Sequence, residues 1–181
     1  MLIQSNMRRI GSMWLVITAL FLLFYASVFQ YFLNYFKTDP LLESHTTVLI
    51  IVLLVIGVII VTANIFGILL FSILTYIFGK IVDSGATKMD FLYICSCVIL
   101  TNMLINLPVA AANFFTNGSI IIPNNNIYFI VLNPFLLLSV FVFFKLLSKT
   151  NIERVYNFVF CGVYYVVQVA SSILLHYLLK V

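Results

Sequence analysis

Long apolar stretches alternate with short polar interruptions along the chain. The interruptions contain charged or turn-forming residues and lie at 37–45, 80–90, 113–126 and 145–154. A helix needs about 20 apolar residues to cross roughly 30 Å of hydrocarbon, and every stretch between the interruptions approaches or exceeds that length. The pattern therefore predicts five membrane-spanning helices, at about 13–36, 47–79, 91–112, 127–144 and 155–179.

The second stretch leaves the number of spans open. Residues 46–79 are 34 consecutive positions without a charge, which is about 51 Å of helix and well beyond the hydrocarbon core. The segment could be one long helix, tilted or kinked near Asn64 and Gly67. It could also be two short spans with a turn at that point.

The distribution of positive charge favours five spans. With five spans and a cytoplasmic N-terminus, only Lys37 and Lys180 lie outside, and seven cations lie inside: Arg8, Arg9, Lys80, Lys88, Lys145, Lys149 and Arg154. With six spans, three would lie inside and six outside. Because cytoplasmic loops carry an excess of Lys and Arg, we expect a cytoplasmic N-terminus and an extracytoplasmic C-terminus.

Composition supports the same class of protein. Apolar residues make up 64% of the 181-residue chain and charged residues 8%, whereas an average soluble domain is about 25% charged. A soluble enzyme and a free nucleic-acid binder are therefore excluded. The net charge of +4 is attributed to loop cations that orient the chain in the membrane. We expect an all-α integral membrane protein, a bundle of five transmembrane helices in one domain over 1–181, with the lipid bilayer as its surroundings and no nucleic-acid partner.

No group suited to catalysis lies at membrane depth in the predicted spans. The acids fall in loops or at span ends: Asp39, Glu43, Asp83, Asp90 and Glu153. Proton-coupled transporters and intramembrane proteases use carboxylates or histidines inside the membrane. The cysteines lie in apolar stretches without a metal-binding spacing. We therefore expect no catalytic residue, no metal and no cofactor.

Uncharged polar residues do occur at depth, namely Asn64, Asn102, Asn106 and Gln168. Asn102 and Asn106 are four residues apart, so they are expected to share a helix face. Amide side chains in hydrocarbon need partners, and the main interpretation is hydrogen bonding between the helices. A polar lining for a ligand or peptide path is one alternative. Contact with a partner membrane protein is another.

A group of cations follows the fourth span. Lys145, Lys149 and Arg154 lie on the expected cytoplasmic side, where they help to orient the chain. They could also contact acidic lipid or a loop of a partner protein.

Two segments resemble a known family. One runs from Asn64 through Gly67, Gly79 and Lys80 and then from Phe91 to Leu107-Pro108. The other opens with Leu132-Asn133-Pro134-Phe135, where the Asn-Pro pair predicts a bend, and continues through Asn151-Ile-Glu-Arg154 into the last span. Over roughly residues 46–175 the chain resembles the Yip (Ypt/Rab-interacting protein) family of five-span membrane proteins, in its bacterial form.

The resemblance implies a location in the bacterial cytoplasmic membrane and assistance to ABC-type exporters or defence against membrane-active peptides. We therefore expect a non-catalytic accessory or assembly subunit of a membrane transport system, with an ABC transporter as a candidate partner. Two alternatives stay open: a passive permease for small solutes or peptides that uses the Asn102/Asn106 face, and an immunity protein against a membrane-active bacteriocin. Association with further copies of the chain also stays open.

Overall fold

The computed structural model describes residues 7–38, 46–116 and 127–178. Within these ranges the chain forms α-helices and no strand. The helices are α1 (Met7–Thr38), α2 (Thr46–Ile81), α3 (Lys88–Met103), α4 (Asn106–Phe115), α5 (Ile127–Val131), α6 (Pro134–Leu147) and α7 (Arg154–Leu178).

The described helices provide five segments that are long and apolar enough to cross a membrane. They are Arg9–Asn34, Thr47–Ile81, Lys88–Phe115, Ile127–Leu147 and Arg154–Leu174, and we refer to them as the first to the fifth span. This confirms the predicted helical, multi-pass class of protein. The side of the membrane on which each terminus lies stays a prediction.

The second span is a single helix of 36 residues, so the alternative with a turn near Asn64 is not found. Two of its glycines are covered by rings of neighbouring spans. A Cβ atom at Gly57 would lie 2.8 Å from Tyr25 Cε1, and one at Gly79 would overlap the Phe91 ring. These glycines let the first and third spans approach α2 closely.

The third span is divided into α3 and α4, which the sequence analysis did not predict. Leu104 and Ile105 form a turn between the two helices. Pro108 lies just beyond it and has no backbone N–H to donate to the carbonyl oxygen of Leu104. The break therefore falls where the helical hydrogen-bond pattern cannot continue. It separates Asn102 in α3 from Asn106 in α4.

The predicted bend in the fourth span is confirmed. Asn133 caps α6, because its Oδ1 accepts hydrogen bonds from the backbone N–H groups of Phe135 at 3.0 Å and Leu136 at 3.4 Å. Pro134 occupies the first turn, where its missing N–H removes no helical hydrogen bond. The short helix α5 precedes this cap.

The third span lies at the centre of the bundle. In its most apolar stretch 44% of the residues are buried, against 6% in the second span. Helix α3 packs against α1, α2 and α6, and α7 packs against α5 and α6. Trp14 Nε1 donates to Ser96 Oγ at 2.8 Å and joins the first span to the third. The core contains Phe91, Ile94, Val98, Leu136, Phe143, Leu147, Cys161 and Tyr164.

Candidate functional site

A cavity of about 720 Å³ opens between α2 and α7. Its walls are apolar and aromatic side chains of these two helices, and α3 and α6 contribute residues to its inner side. We call it the α2–α7 groove; its walls include Leu70, Leu74 and Phe78 of α2 and Val159, Val163 and Val167 of α7. All of these except Leu70 and Leu74 are more than half exposed, so the groove is open at the protein surface.

Three of the four predicted polar residues line this groove. Asn64 comes from α2, Asn102 from α3 and Gln168 from α7. Asn64 lies 17 residues before the end of α2, and the other two lie 14 residues after the starts of their helices. At about 1.5 Å per residue, all three amides are roughly 21–26 Å from the same end of the bundle, which is near the middle of a membrane.

These amides have few partners inside the protein. Asn64 Nδ2 donates to the carbonyl oxygen of Ile60 in its own helix at 2.9 Å. Among the described residues, the side chains of Asn102 and Gln168 make no hydrogen bond. An amide without a partner in hydrocarbon is unfavourable by several kcal/mol. The groove therefore presents hydrogen-bonding capacity that an occupant could satisfy.

Asn106, the fourth predicted residue, does not line the groove. It is 8% exposed, and its Nδ2 lies 3.5 Å from Met103 Sδ on the other side of the helix break. The structure thus brings together Asn64, Asn102 and Gln168 and places Asn106 in the packed interior.

The groove occupies one half of the bundle. Along α2 its lining runs from Ala63 to Val82, where the helix has ended, and along α7 it runs from Tyr156 to Gln168. Among the side chains that the structure describes, none from the first 17 residues of α2 or from the last turns of α7 lines it. The cavity therefore reaches from one end of the bundle to mid-depth and ends at the amides.

Two turns close that end of the bundle, and a hydrogen bond joins them. Ser84 Oγ in the turn at 82–87 donates to the carbonyl oxygen of Thr150 in the turn at 148–153, over 3.2 Å. Ser84 Oγ also accepts from the N–H of Ala86 at 3.2 Å. All three residues are buried, with exposures of 3% or less. We call this pair of turns the turn platform.

Local sequence explains how each turn folds. Asp83 and Asn151 adopt φ angles of 55° and 60°, in the left-handed region that Asp and Asn tolerate better than most residues. Thr87 then caps α3 in a reciprocal arrangement with Asp90. The Asp90 Oδ2 atom accepts from Thr87 N at 2.8 Å. Side chains that hydrogen-bond the backbone therefore fix the first chain reversal.

The predicted cations Lys145, Lys149 and Arg154 surround the second of these turns, and all are exposed. Lys145 Nζ lies 5.6 Å from the centre of the Phe141 ring. In the described part of the chain, Lys149 and Arg154 form no ion pair. Their charges are thus available at the surface of the turn platform.

The sequence analysis missed a second pair of cations at this end. Lys80 of α2 and Lys88 of α3 lie 5.8 Å and 5.7 Å from the centre of the same ring, Tyr76. Each contact is a cation–π geometry. The sequence analysis uses both lysines only to predict the orientation of the chain in the membrane. Lys80 and Lys88 follow Tyr76 by four and twelve residues, and the second spacing, which crosses a turn, gives no sequence signal for a shared ring.

Asn157 was also missed. It is 1% exposed, and its Oδ1 has no hydrogen-bond donor within the described residues. It precedes Cys161 and Tyr164 by four and seven residues, the spacing of one helix face. That face points into the core, so the position could have been found from helical periodicity.

Comparison with known proteins gives no relative from which a role could be inferred. No family model matches the chain, no curated protein matches it, and no solved structure matches it. The arrangement of the α2–α7 groove and the turn platform is therefore the basis for a functional proposal.

Proposed function

We propose that this protein is a non-catalytic membrane protein that acts as an accessory or assembly subunit of a membrane transport system. In this proposal the N-terminus and the turn platform face the cytoplasm. The chain uses shape and surface charge to hold a partner membrane protein, and the partner supplies the energy for transport.

The observation that carries the proposal is the turn platform. The hydrogen bond from Ser84 to Thr150 holds two helix-to-helix turns together, so the backbone positions that carry the exposed cations keep a fixed arrangement. Lys149 and Arg154 are exposed there. Positive charge on a fixed backbone favours an acidic loop of a partner, because little backbone freedom is lost on binding.

The shape of the α2–α7 groove favours this function over a permease. A permease needs a path through both halves of the membrane. The groove runs from Val82 only as far as Ala63 and the amides at mid-depth. A cavity that ends at mid-depth is suited to receive part of another molecule rather than to conduct a solute across the membrane.

The choice of transport system comes from the resemblance to bacterial Yip proteins, which implies an ABC-type exporter as partner and the bacterial cytoplasmic membrane as location. The exposed apolar surface is compatible with a partner inside the membrane. The second span has 6% of its most apolar stretch buried, which leaves most of that helix available to lipid or to protein.

The test is purification in mild detergent, with identification of the integral membrane proteins that co-elute. We expect a transport protein with an acidic cytoplasmic segment, and deletion of the present protein should lower the abundance or activity of that complex. The double variant Lys149→Gln and Arg154→Gln should reduce co-elution several-fold. Glutamine is chosen because reversing the charge could reverse the orientation of the chain.

The control is Lys37→Gln. It removes a cation near the C-terminal end of α1, away from the turn platform, and should leave co-elution unchanged. Purification of the protein alone, with no complex affected by its deletion, would contradict the proposal. So would uptake of solute against a gradient by the reconstituted protein alone. Binding of the turn platform to anionic vesicles without any protein partner would identify lipid as its ligand instead.

A further inference from the structure

The glycines of α2 have different surroundings. Gly57 and Gly79 are covered by Tyr25 and Phe91 of the same chain, whereas a Cβ atom at Gly67 would meet no atom within 4 Å. Gly67 lines the α2–α7 groove together with Ala63, four residues earlier. A pair of small residues at this spacing permits close approach of a second membrane helix. Two α2 glycines are thus used inside the bundle, and the third faces empty space.

The dimensions of the groove fit one face of a helix. From Ala63 to Val82 the groove is about 28 Å long, at 1.5 Å per residue. A helix is about 10 Å wide, and the groove is open at the protein surface. The groove can therefore receive the side chains of one helix face without enclosing the whole helix.

The depth of the amides argues against a phospholipid as the occupant. Asn102 and Gln168 lie roughly 21 Å from the end of the bundle, whereas a phospholipid keeps its polar group at the membrane surface. Acyl chains in the groove would leave both amides without hydrogen bonds. An occupant that satisfies them needs a polar side chain in the middle of an apolar segment.

The chain itself contains such a segment. Helix α2 is apolar over its length, has little of its surface buried, and carries Asn64 next to Ala63. Two copies in one membrane have the same orientation, so Asn64 of each copy lies at the same depth as Asn102 and Gln168 of the other. No segment of another protein needs to be assumed as the occupant of the α2–α7 groove.

We propose that the α2–α7 groove receives helix α2 of a second copy, so that the protein forms a symmetric dimer. The α2 helices pack against each other at Ala63 and Gly67, and Asn64 of each copy hydrogen-bonds Asn102 or Gln168 of its partner. This proposal is independent of the turn platform and of the partner that the platform binds.

The first experiment measures association in native membranes. In a background in which Cys95, Cys97 and Cys161 are replaced by alanine, Gly67→Cys should form a disulfide-linked dimer under mild oxidation. Leu69→Cys is the control, because Leu69 is exposed on the side of α2 away from Gly67. Absence of the dimer at position 67, or equal cross-linking at position 69, would overturn the proposal.

The second experiment measures mass by light scattering in detergent. The wild type should contain two chains of 20.6 kDa. Gly67→Leu should be monomeric and folded, since the space at Gly67 is open. Gly162→Leu is the matched control and should stay dimeric, because Gly162 also faces open space and does not line the groove.

Replacing Asn102 and Gln168 by leucine should weaken dimerisation on the order of threefold for each hydrogen bond lost. A dimer that persists in Gly67→Leu would show that the interface lies elsewhere and overturn the proposal. A different protein cross-linked at position 67, or a lipid retained there by a monomer, would overturn it as well. Loss of the acidic-loop partner in the platform variants would leave the dimer unaffected, so the two proposals fail separately.

Discussion

Ser84 Oγ donates a hydrogen bond to the carbonyl oxygen of Thr150, a residue 66 positions later in the chain. The bond joins the turn after the second span to the turn after the fourth. Both residues are buried, so the bond is shielded from competing water. It fixes the relative positions of four helix ends and with them the cations of the turn platform.

Removal of this bond should loosen the turn platform. We expect Ser84→Ala to lower the free energy of unfolding by about 1 to 3 kcal/mol, because the buried carbonyl of Thr150 and the N–H of Ala86 lose their partner. Thermal unfolding in detergent micelles measures this change. Ser148→Ala is the control: its exposed Oγ donates only to the Lys145 carbonyl oxygen, so little change is expected. Equal effects of the two substitutions would show that the buried bond is unimportant.

The contact between Gly79 and Phe91 should be sensitive to a single methyl group. A Cβ atom at Gly79 would overlap the ring, and Phe91 is fully buried in the core. We expect Gly79→Ala to destabilise the protein by about 1–3 kcal/mol, the usual effect of overpacking. Gly162→Ala, where the added methyl group meets open space, should change the unfolding midpoint little. Unchanged stability in Gly79→Ala would mean that α2 and α3 can separate without loss.

Asn157 should be a position at which an apolar residue improves stability. Its Oδ1 is buried without a donor within the described residues, and leucine has a similar shape. We expect Asn157→Leu to raise the free energy of unfolding by about 1 kcal/mol, since replacing an unsatisfied polar group removes its desolvation penalty. Asn106→Leu, at another buried asparagine, should give no gain because that amide has a sulfur contact. A destabilised Asn157→Leu variant would show that Oδ1 has a partner in the membrane.

The orientation of the chain can be measured with single cysteines at Thr87 and Asn125. Position 87 lies on the turn platform and position 125 in the segment between the third and fourth spans. In a background without the native cysteines, an impermeant reagent applied to intact cells should label position 125 and spare position 87. The positive charge near the platform is the physical reason. Equal labelling, or the reverse order, would contradict a cytoplasmic N-terminus.

The number of spans could be predicted from the sequence because the length of each apolar stretch and the charges that flank it are properties of a whole segment. The cap at Asn133 could also be predicted, since an Asn-Pro pair has a local structural meaning. The break between Met103 and Asn106 was not predicted. The effect of Pro108 on the preceding turn depends on which neighbours support the interrupted helix.

The candidate site was predicted only as residue types. Asn64, Asn102 and Gln168 were chosen because amides are unusual at depth, but their convergence depends on how α2, α3 and α7 pack. Asn106 has the same chemistry and lies elsewhere because the helix break rotates it into the interior. The cavity itself has no sequence signal, since its walls consist of the same apolar residues that face lipid.

The length of α2 also determines how the protein fits its surroundings. The 35 residues Thr47–Ile81 measure about 52 Å, and even a steep tilt of roughly 40° leaves about 40 Å along the bilayer normal, beyond the hydrocarbon thickness of about 30 Å. Such hydrophobic mismatch favours lipids with longer acyl chains around this helix. The protein should therefore partition into thicker regions of a membrane and stretch the bilayer locally in thinner ones.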